Sequence, residues 1–364
     1  ARSWRGGEQQ IAYLFQTIRT LDPDSEQWIA CPRDSAMSQW CFQNNWAHFT
    51  YVKKSSLSPF VAVRIKRFCL ENKVDILHLH DSHAHSFGVI SWLLGNRVPM
   101  VLSRRVDFRP GNSVFSRYKY AHKGIRRILC VSDAITLVMK EYMPGDSRIC
   151  TVHSGIDLSK YGGPVQGDLR RELGLPGDST LVINVAALAR HKDPETFVRV
   201  ASATLKENYP GLFFVWVGGD DGEQEKTEKL IEELKLQERV KLTGFRRDIP
   251  DLLAQADVFL FTSTKEGLGT SVLDAMATGL PIVATRTGGI SEMIVDGTSG
   301  LMALPGDTES LSAQLCRILD DPDLVAQLSK GARECVRSFS KERTAEKTLG
   351  YYRDIMAEAD VQRN

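Results

Sequence analysis

The stretch Thr264–Glu292, T-K-E-G-L-G-T-S-V-L-D-A-M-A-T-G-L-P-I-V-A-T-R-T-G-G-I-S-E, decides how this chain is read. A β-branched and aromatic run ends just before it, at Thr262, and a second run, Pro281–Thr285, lies inside it. Between the two, Glu266 falls on a loop with Gly267 and Gly269 beside it. Thr270 or Ser271 is placed to cap a helix running to about Ala277, and Gly279 and Pro281 end that helix. Strand, glycine loop, helix and strand make a βαβ unit, which belongs to a parallel sheet.

The same segment suits a diphosphate. A helix N-terminus offers free N–H groups and the positive end of a dipole, and glycines let the backbone approach a ligand closely. Asp274 lies eight residues after Glu266, on the helix proper. One carboxylate is then available to a sugar and the other to a ribose. Spacing alone does not separate this from an ordinary strand–loop–helix with two surface carboxylates, because G-x-G turns are common.

Working outward, short apolar runs alternate with amphipathic stretches along the whole chain. One series is Val74–His80, Val98–Arg104, Arg127–Ser132 and Ile149–His153. A second is Thr180–Leu188, Leu212–Gly218, Val240–Gly244, Val258–Thr262 and Pro281–Thr285. The rhythm predicts two α/β domains with mainly parallel, doubly wound sheets. It breaks at Asp157–Asp178, a stretch rich in glycine and proline that reads as a linker with a short helix at Asp168–Leu173. The expected division is an N-terminal domain over 1–160, a C-terminal domain over 161–340 and a charged last helix over 341–364. In that helix Leu349, Tyr352 and Met356 form the expected buried stripe. Near the start, Glu8–Thr20 reads as a helix with Ile11, Leu14, Phe15 and Ile18 on one face. The loop Ala1–Glu8 reads as one that should follow a strand, so a first strand is expected to be missing from the sequence.

Bulk properties set the class. The chain has 364 residues, 42% hydrophobic and 25% charged, as a soluble globular protein of two ordinary domains does. No run is long and apolar enough to span a bilayer, and no signal peptide is visible. The seven cysteines are scattered, odd in number and without a C-x-x-C pair, which fits a cytoplasmic protein and speaks against a disulfide framework or zinc site. The net charge of +1 hides an asymmetry: residues 1–160 hold 22 Lys/Arg and 13 Asp/Glu, or +9, and the rest hold 24 and 32, or −8. A basic front half fits an anionic acceptor or an anionic membrane surface, and it fits a solvated basic face equally. Two basic stretches interleaved with apolar residues, Lys53–Arg67 and Arg117–Arg127, carry the membrane reading. Four histidines in His78–His85 invite a metal, but two fall on a strand and two after it, so they need not converge, and no metal site is expected.

The string E-G-L-G-T-S-V-L-D-A-M-A-T-G-L-P-I-V-A-T, followed by G-G-I-S-E, resembles the E-x7-E signature of retaining glycosyltransferases of the GT-B fold, in particular the large family 4 group. The likeness extends over nearly the whole chain. Gly6, Gly7 and Glu8 resemble the family's G-G-x-E loop. Val152–Asp157 resembles its V-x-N-G-V-D segment, and Val185–Asp193 the loop that supplies an Arg and a Lys to the diphosphate. Val217–Asp220 resembles a V-G-x-G turn, and Leu242–Phe245 the strand end that reads the base. The resemblance implies two Rossmann-like domains facing a central cleft, with the last helix crossing back onto the first domain.

It also implies roles. Donor binding falls to Gly6, Gly7, Arg190, Lys192, Gly244, Phe245, Glu266, Gly267, Leu268, Gly269, Thr270, Ser271 and Asp274. Within this set Glu266 contacts the sugar, Asp274 the ribose, and Lys192 neutralises the departing diphosphate. The acceptor side is Glu8, His80, Asp81, His83 and Arg105, and the reaction itself is expected to rest on Glu266, Lys192 and Arg105. Three departures stand out. Asp274 replaces the usual Glu. Ala187 stands where the family has Arg, with Arg190 on the same loop as its replacement. Arg105 stands where many relatives have His, and pairs with an anionic group on a substrate or with Asp107.

The implied function is metal-independent, retaining transfer of a sugar from a nucleotide sugar to a glycan or lipid-linked acceptor, in cell-envelope polysaccharide or lipopolysaccharide synthesis. The implied protein needs no cofactor, binds no nucleic acid, and is cytoplasmic or peripheral at the inner face of a membrane. The rivals are a nucleotide-sugar epimerase or phosphorylase on the same fold and a catalytically silent nucleotide-sugar binder. A Rossmann dehydrogenase is disfavoured by the lack of an early G-x-G-x-x-G.

Overall fold

In the computed structural model, which describes residues 4–361 except 54 and 56, the chain divides into two compact units. One is Ala1–Gly155 with Lys341–Asn364, and the other is Ile156–Ser340.

The second unit is built on six parallel strands: β7 (Thr180–Val185), β8 (Leu212–Val217), β9 (Val240–Leu242), β10 (Val258–Phe261), β11 (Ile282–Thr285) and β12 (Leu301–Ala303). Their order is β12-β11-β10-β7-β8-β9, so the winding reverses between β7 and β10. This is the doubly wound arrangement, and its reversal point is where such sheets place ligands. The sequence of β8, L-F-F-V-W-V, is buried at every position, as a parallel strand covered on both faces must be. Phe197 packs edge-on against Phe214 and Trp216 at the centre of this core.

The stretch expected to be a linker is instead tied to this unit. Leu169 is buried, its N–H donates to Gln255 Oε1 at 2.6 Å, and Arg170 bonds Ser179, Gln255 and Asp257. The division falls between Gly155 and Ile156 rather than at 160, because buried Ile156 already donates its N–H to Phe339 O. The short helix is confined to Leu169–Glu172.

The first unit holds a two-stranded sheet, β1 (Ile29–Pro32) with β2 (His48–Tyr51). Separate from it is a four-stranded sheet of β3 (Leu77–Leu79), β4 (Met100–Arg104), β5 (Ile125–Cys130) and β6 (Ile149–Thr151) in sequence order. Among the described residues the hydrogen-bonded strands of this unit run in sequence order, without the reversal seen in the second unit. The first helix, Gly6–Leu21, buries Leu14, Phe15 and Ile18. The last helix, Lys341–Val361, packs Ala345 and Leu349 on Leu14 and Ile18. Ile355 enters the cluster of Val101, Leu129 and Val152, while Met356 is exposed. The buried stripe therefore runs through Ile355, one residue from the Met356 expected. The helix is pinned by Thr344 Oγ1, which donates to His153 O at 2.8 Å, and by ion pairs from Arg126 and Arg127 to Glu358. No helix among the described residues is long and apolar enough to cross a membrane.

Candidate functional site

At the reversal point of the second unit, the loop after β7 and the loop after β10 are stitched into one surface. The Ser263 hydroxyl donates to His191 O at 2.8 Å, as does the Thr264 N–H, and the Thr262 hydroxyl reaches Asp193 O at 3.0 Å. Asp193, in the left-handed region at φ 53°, turns the chain into helix Pro194–Thr204 and caps it by accepting from Thr196. That turn delivers Lys192 to Glu266, and the two form an ion pair. Both side chains are largely shielded, and the ammonium also sits 5.6 Å from the Phe261 ring centroid. A cation and a carboxylate shielded together at a strand-end switch point can exchange their mutual contact for a ligand's charges and hydroxyls.

Two glycines hold Glu266 in place from behind. Gly288 has φ +47°, and a Cβ there would lie 1.9 Å from Glu266 O. A Cβ on Gly289 would lie 2.7 Å from Gly267 O and 2.8 Å from Leu268 Cα. The loop Glu266–Leu268 therefore rests directly on the Gly288–Gly289 backbone. Thr287 and Thr285 add hydroxyl donation to Thr264 O and Ser263 O.

Helix Thr270–Thr278 follows with Gly269 as its N-cap at φ +90° and no capping side chain. This corrects the expectation that Thr270 or Ser271 caps it. Both lie within the first turn, so their hydroxyls and N–H groups are left for other partners. Asp274 lies one turn on, half-buried, and accepts a 2.5 Å hydrogen bond from the Tyr161 hydroxyl. Burial pushes its carboxyl up to about 6, against the opposing pull of the Tyr161 bond and the Lys160 charge. Gly244 takes φ +71° after β9 and accepts from the Gly218 N–H, leaving the Phe245 ring exposed beside Gly219. Arg190 is exposed on the turn that carries Lys192, and Ala187 is exposed before it.

In the first unit, Gly6 and Gly7 open the first helix, and nothing among the described residues lies within 4 Å of a Cβ built on Gly7. Glu8 accepts from the Arg5 N–H. His80 and Arg105 follow directly on β3 and β4, which are paired neighbours. Arg105 Nη1 donates to Ser154 Oγ at 3.3 Å, and among the described residues it makes no ion pair with Asp107. His80 stacks on His78 with ring centroids 4.0 Å apart. His78 is held from both sides, Nδ1 to the Tyr352 hydroxyl and Nε2 to Ser103 Oγ at 2.8 Å. Burial, with the Arg105 charge, pushes its pKa down to about 3, so the ring is neutral. Asp81 is the N-cap of helix Ser82–Leu93, accepting from His83 and Ala84 N–H. Both bonds are accepted by the same carboxylate oxygen, Oδ1, and the side chain is exposed. His85 faces the Lys119 carbonyl, so His78 and His85 of the histidine run are each engaged elsewhere.

Comparison with known proteins now bears on these sites. Residues 165–335 match the family model "Glycosyl transferases group 1", and residues 43–160 match "Glycosyltransferase Family 4". The chain belongs to the family 4 type glycosyltransferases of the GT-B fold. Among its relatives is the N-acetyl-alpha-D-glucosaminyl L-malate synthase of Bacillus anthracis, 27% identical, with 81% of this chain and 79% of the relative covered. The UDP-Gal:alpha-D-GlcNAc-diphosphoundecaprenol alpha-1,3-galactosyltransferase of Escherichia coli is equally similar, at 27% identity with the same 81% and 79% covered. The crystal structure of Anabaena Alr3699/HepE in complex with UDP superposes with a TM-score of 0.82 at 21% identity, covering 97% of this chain and 98% of that one. That likeness establishes the fold.

Several residues around the glycosyltransferase's site escaped the sequence reading. Tyr161 and Phe261 carry no motif, and only the folded contacts bring them to Asp274 and Lys192. The pairing of Tyr352 with His78 joins residues 274 apart in sequence. Gly288 and Gly289 did leave a signal, a double glycine directly after a strand, which marks a close backbone approach.

Proposed function

We propose that this glycosyltransferase moves a sugar from a nucleotide-diphosphate donor to a glycan or lipid-linked acceptor in cell-envelope synthesis, with retention of anomeric configuration and without a metal. The observation that carries the reading is the shielded Lys192–Glu266 pair at the point where the strand order reverses. The E. coli relative's name contains a UDP-sugar donor and a lipid diphosphate acceptor, and the Anabaena neighbour holds UDP. Both support the substrate classes.

In the proposed reaction the second unit binds the donor. Asp274 takes the ribose and Phe245 lies against the base, while Gly267 to Gly269, Thr270 and Ser271 meet the sugar and diphosphate with N–H and hydroxyl donors. The bond from the anomeric carbon to the β-phosphate oxygen breaks as the acceptor oxygen bonds that carbon from the same face. The acceptor's proton passes to the departing diphosphate. Lys192 and Arg190 stabilise the charge that develops there, and this is the work a metal would otherwise do. Glu266 orients the sugar hydroxyls, so positioning rather than covalent catalysis lowers the barrier. The basic first unit takes the acceptor.

The protein is proposed to work at an anionic membrane face of the cytoplasm. Helix Pro59–Glu71 exposes Phe60, Val63 and Leu70 together with Arg64 and Arg67, a composition suited to anionic lipid. Co-sedimentation with vesicles should rise with their anionic lipid content and fall for Phe60→Glu; indifference to lipid charge removes the membrane from the proposal. For the reaction itself, a thermal-shift panel of nucleotides and nucleotide sugars should show selective stabilisation. Glu266→Gln should abolish transfer while nucleotide binding persists. Full activity in that variant would refute the role of Glu266.

A further inference from the structure

We infer that Arg105 and His80 form a subsite in the first unit for an anionic group, a carboxylate or phosphate, carried by one of the two substrates. The inference rests on the transferase reading above and names a chemical class that reading leaves open.

Other shielded arginines of this chain are held by two or more acceptors. Arg104 donates to the Tyr120 hydroxyl and the Phe108 carbonyl and lies over both rings. Arg148 has the Asp146 carboxylate and three backbone carbonyls. Arg170 has Asp257 and two carbonyls, and Arg246 has Glu172 and Asp248. Arg104 shares an orphaned Nε and the lack of an ion pair among the described residues, but it has two acceptors and lies over two rings, whereas Arg105 has a single acceptor. Among the described residues Arg105 makes one hydrogen bond, to the neutral hydroxyl of Ser154, and no ion pair. Its Nε is shielded from solvent and has no acceptor.

A second donor lies on the adjacent strand end. His80 Nδ1 is likewise shielded and has no partner among the described residues. The charged and titratable groups that act on this pair are His78, stacked against His80, and Glu8, whose charge favours the guanidinium without pairing to it. Burial, His78 and Arg105 together push the His80 pKa well down, so the ring is neutral and can donate an N–H without adding charge. His78, fixed between Tyr352 and Ser103, holds the stacked His80 ring in position.

The energetics point the same way. A cation withdrawn from water with no counter-ion is costly to the fold, and burial pulls the Arg105 pKa down to about 10. An incoming carboxylate or phosphate would supply the missing charge, accept from the orphaned Nε, and accept from His80. A neutral hydroxyl would leave the charge uncompensated. The subsite therefore discriminates for an anion, in a half of the chain that carries a +9 excess.

The test has a ligand-independent arm and two substrate arms. In the first, wild-type protein and Arg105→Gln are melted in chloride and in inorganic phosphate at matched ionic strength. Wild type should gain a few degrees in phosphate. Arg105→Gln should melt at or above wild type in chloride and gain clearly less in phosphate, keeping only what the second unit's diphosphate site contributes. A variant that melts lower, with phosphate protecting both proteins equally, would make Arg105 a structural residue and overturn the inference. The donor arm compares UDP-glucose with UDP-glucuronic acid. The acceptor arm compares glycerol with glycerol phosphate and inositol with inositol phosphate, in the presence of UDP. In one arm the anionic member should bind wild type at least tenfold more tightly than its neutral twin, and Arg105→Gln should lose that preference. The arm that responds tells which substrate carries the anion. Nucleotide binding with no anion preference in either arm overturns the inference and leaves the transferase reading standing. Failure of every nucleotide to bind counts against the transferase reading, and the phosphate melts still decide the role of Arg105.

Discussion

Replacing Asp274 by Asn should stabilise the free protein at neutral pH while weakening its hold on a nucleotide. The carboxyl is half-buried on helix Thr270–Thr278, and burial raises its pKa from 3.8 to about 6. At 1.36 kcal/mol per pKa unit this rise makes the charged form costly by about 3 kcal/mol. The sign follows from linkage. Between pH 4 and 6 the folded state binds the proton that the unfolded state has released, so wild-type stability falls as pH rises through this window. Above it the full cost is present, and below it both states are neutral. Asn keeps an oxygen to accept from Tyr161 and never ionises. The variant should therefore exceed wild type by about 1–3 kcal/mol at pH 8, roughly 3–10 °C in melting temperature for a unit of this size. The gain should shrink to nothing by pH 4. Differential scanning calorimetry of both proteins across pH 4–8 reads it directly. Ribose binding should show the opposite sign, since a charged acceptor makes the stronger hydrogen bonds. UDP affinity should be about tenfold lower in the variant at pH 8, and the difference should close as wild-type Asp274 protonates below pH 6. A variant less stable than wild type at pH 8, or a gain that does not change with pH, would refute the reasoning.

The ion pair should behave as a unit. Lys192→Ala and Glu266→Ala each strand a shielded charge and should cost about 3 kcal/mol, whereas the double variant should cost clearly less than their sum in a double-mutant cycle read by urea unfolding. Gly288→Ala must displace the Glu266 carbonyl, because its Cβ falls 1.9 Å away at a backbone φ of +47°. Transfer should drop at least a hundredfold, with a loss of about 2 kcal/mol or more in stability. Tyr161→Phe removes the bond that restrains the Asp274 pKa, so the stability decline with rising pH should steepen and extend above pH 6 in the same calorimetric series. Tyr352→Phe frees His78 Nδ1 and should cost about 1 kcal/mol in the first unit.

The second unit was the more legible of the two, and the reason is physical. Its central strands are apolar and buried on both faces, as Leu212–Val217 is at all six positions, so hydrophobicity alone marks them. The strands that escaped were short. I-A-C-P and H-F-T-Y in the first unit and L-M-A at β12 span three or four residues each, but β3, β6 and β9 are as short and were read, so length alone does not account for the miss. Backbone conformation was legible where glycine reports it, as at Gly269 and Gly279. Capping was not, because Gly269 itself takes the N-cap position that the hydroxyls of Thr270 and Ser271 were expected to fill. Contacts between distant residues left no local trace, and Tyr161 with Asp274 or Tyr352 with His78 could only emerge from the fold.

The two units place a shielded cation at the carboxyl ends of their strands in opposite electrostatic conditions. In the second unit Lys192 has Glu266 as its counter-ion. In the proposed reaction a diphosphate binding there competes with that carboxylate, and Glu266 would turn to the sugar hydroxyls once the ligand's charge replaces it. In the first unit Arg105 has no carboxylate within ion-pair distance among the described residues, so an anion binding there displaces nothing. Binding at the first kind of site exchanges one ion pair for another and is nearly neutral in charge desolvation. At the second kind it relieves a cost already present in the free fold. Affinity for a nucleotide should therefore be modest and should rise on removal of Glu266, since Lys192 is then free to pair with phosphate alone. Loss of Arg105 offers no such compensation. An increase in UDP affinity for Glu266→Gln, alongside abolished transfer, would separate the carboxylate's role in orienting the sugar from any role in holding the nucleotide. A decrease would mean that Glu266 contributes to nucleotide binding through the ion pair it makes with Lys192.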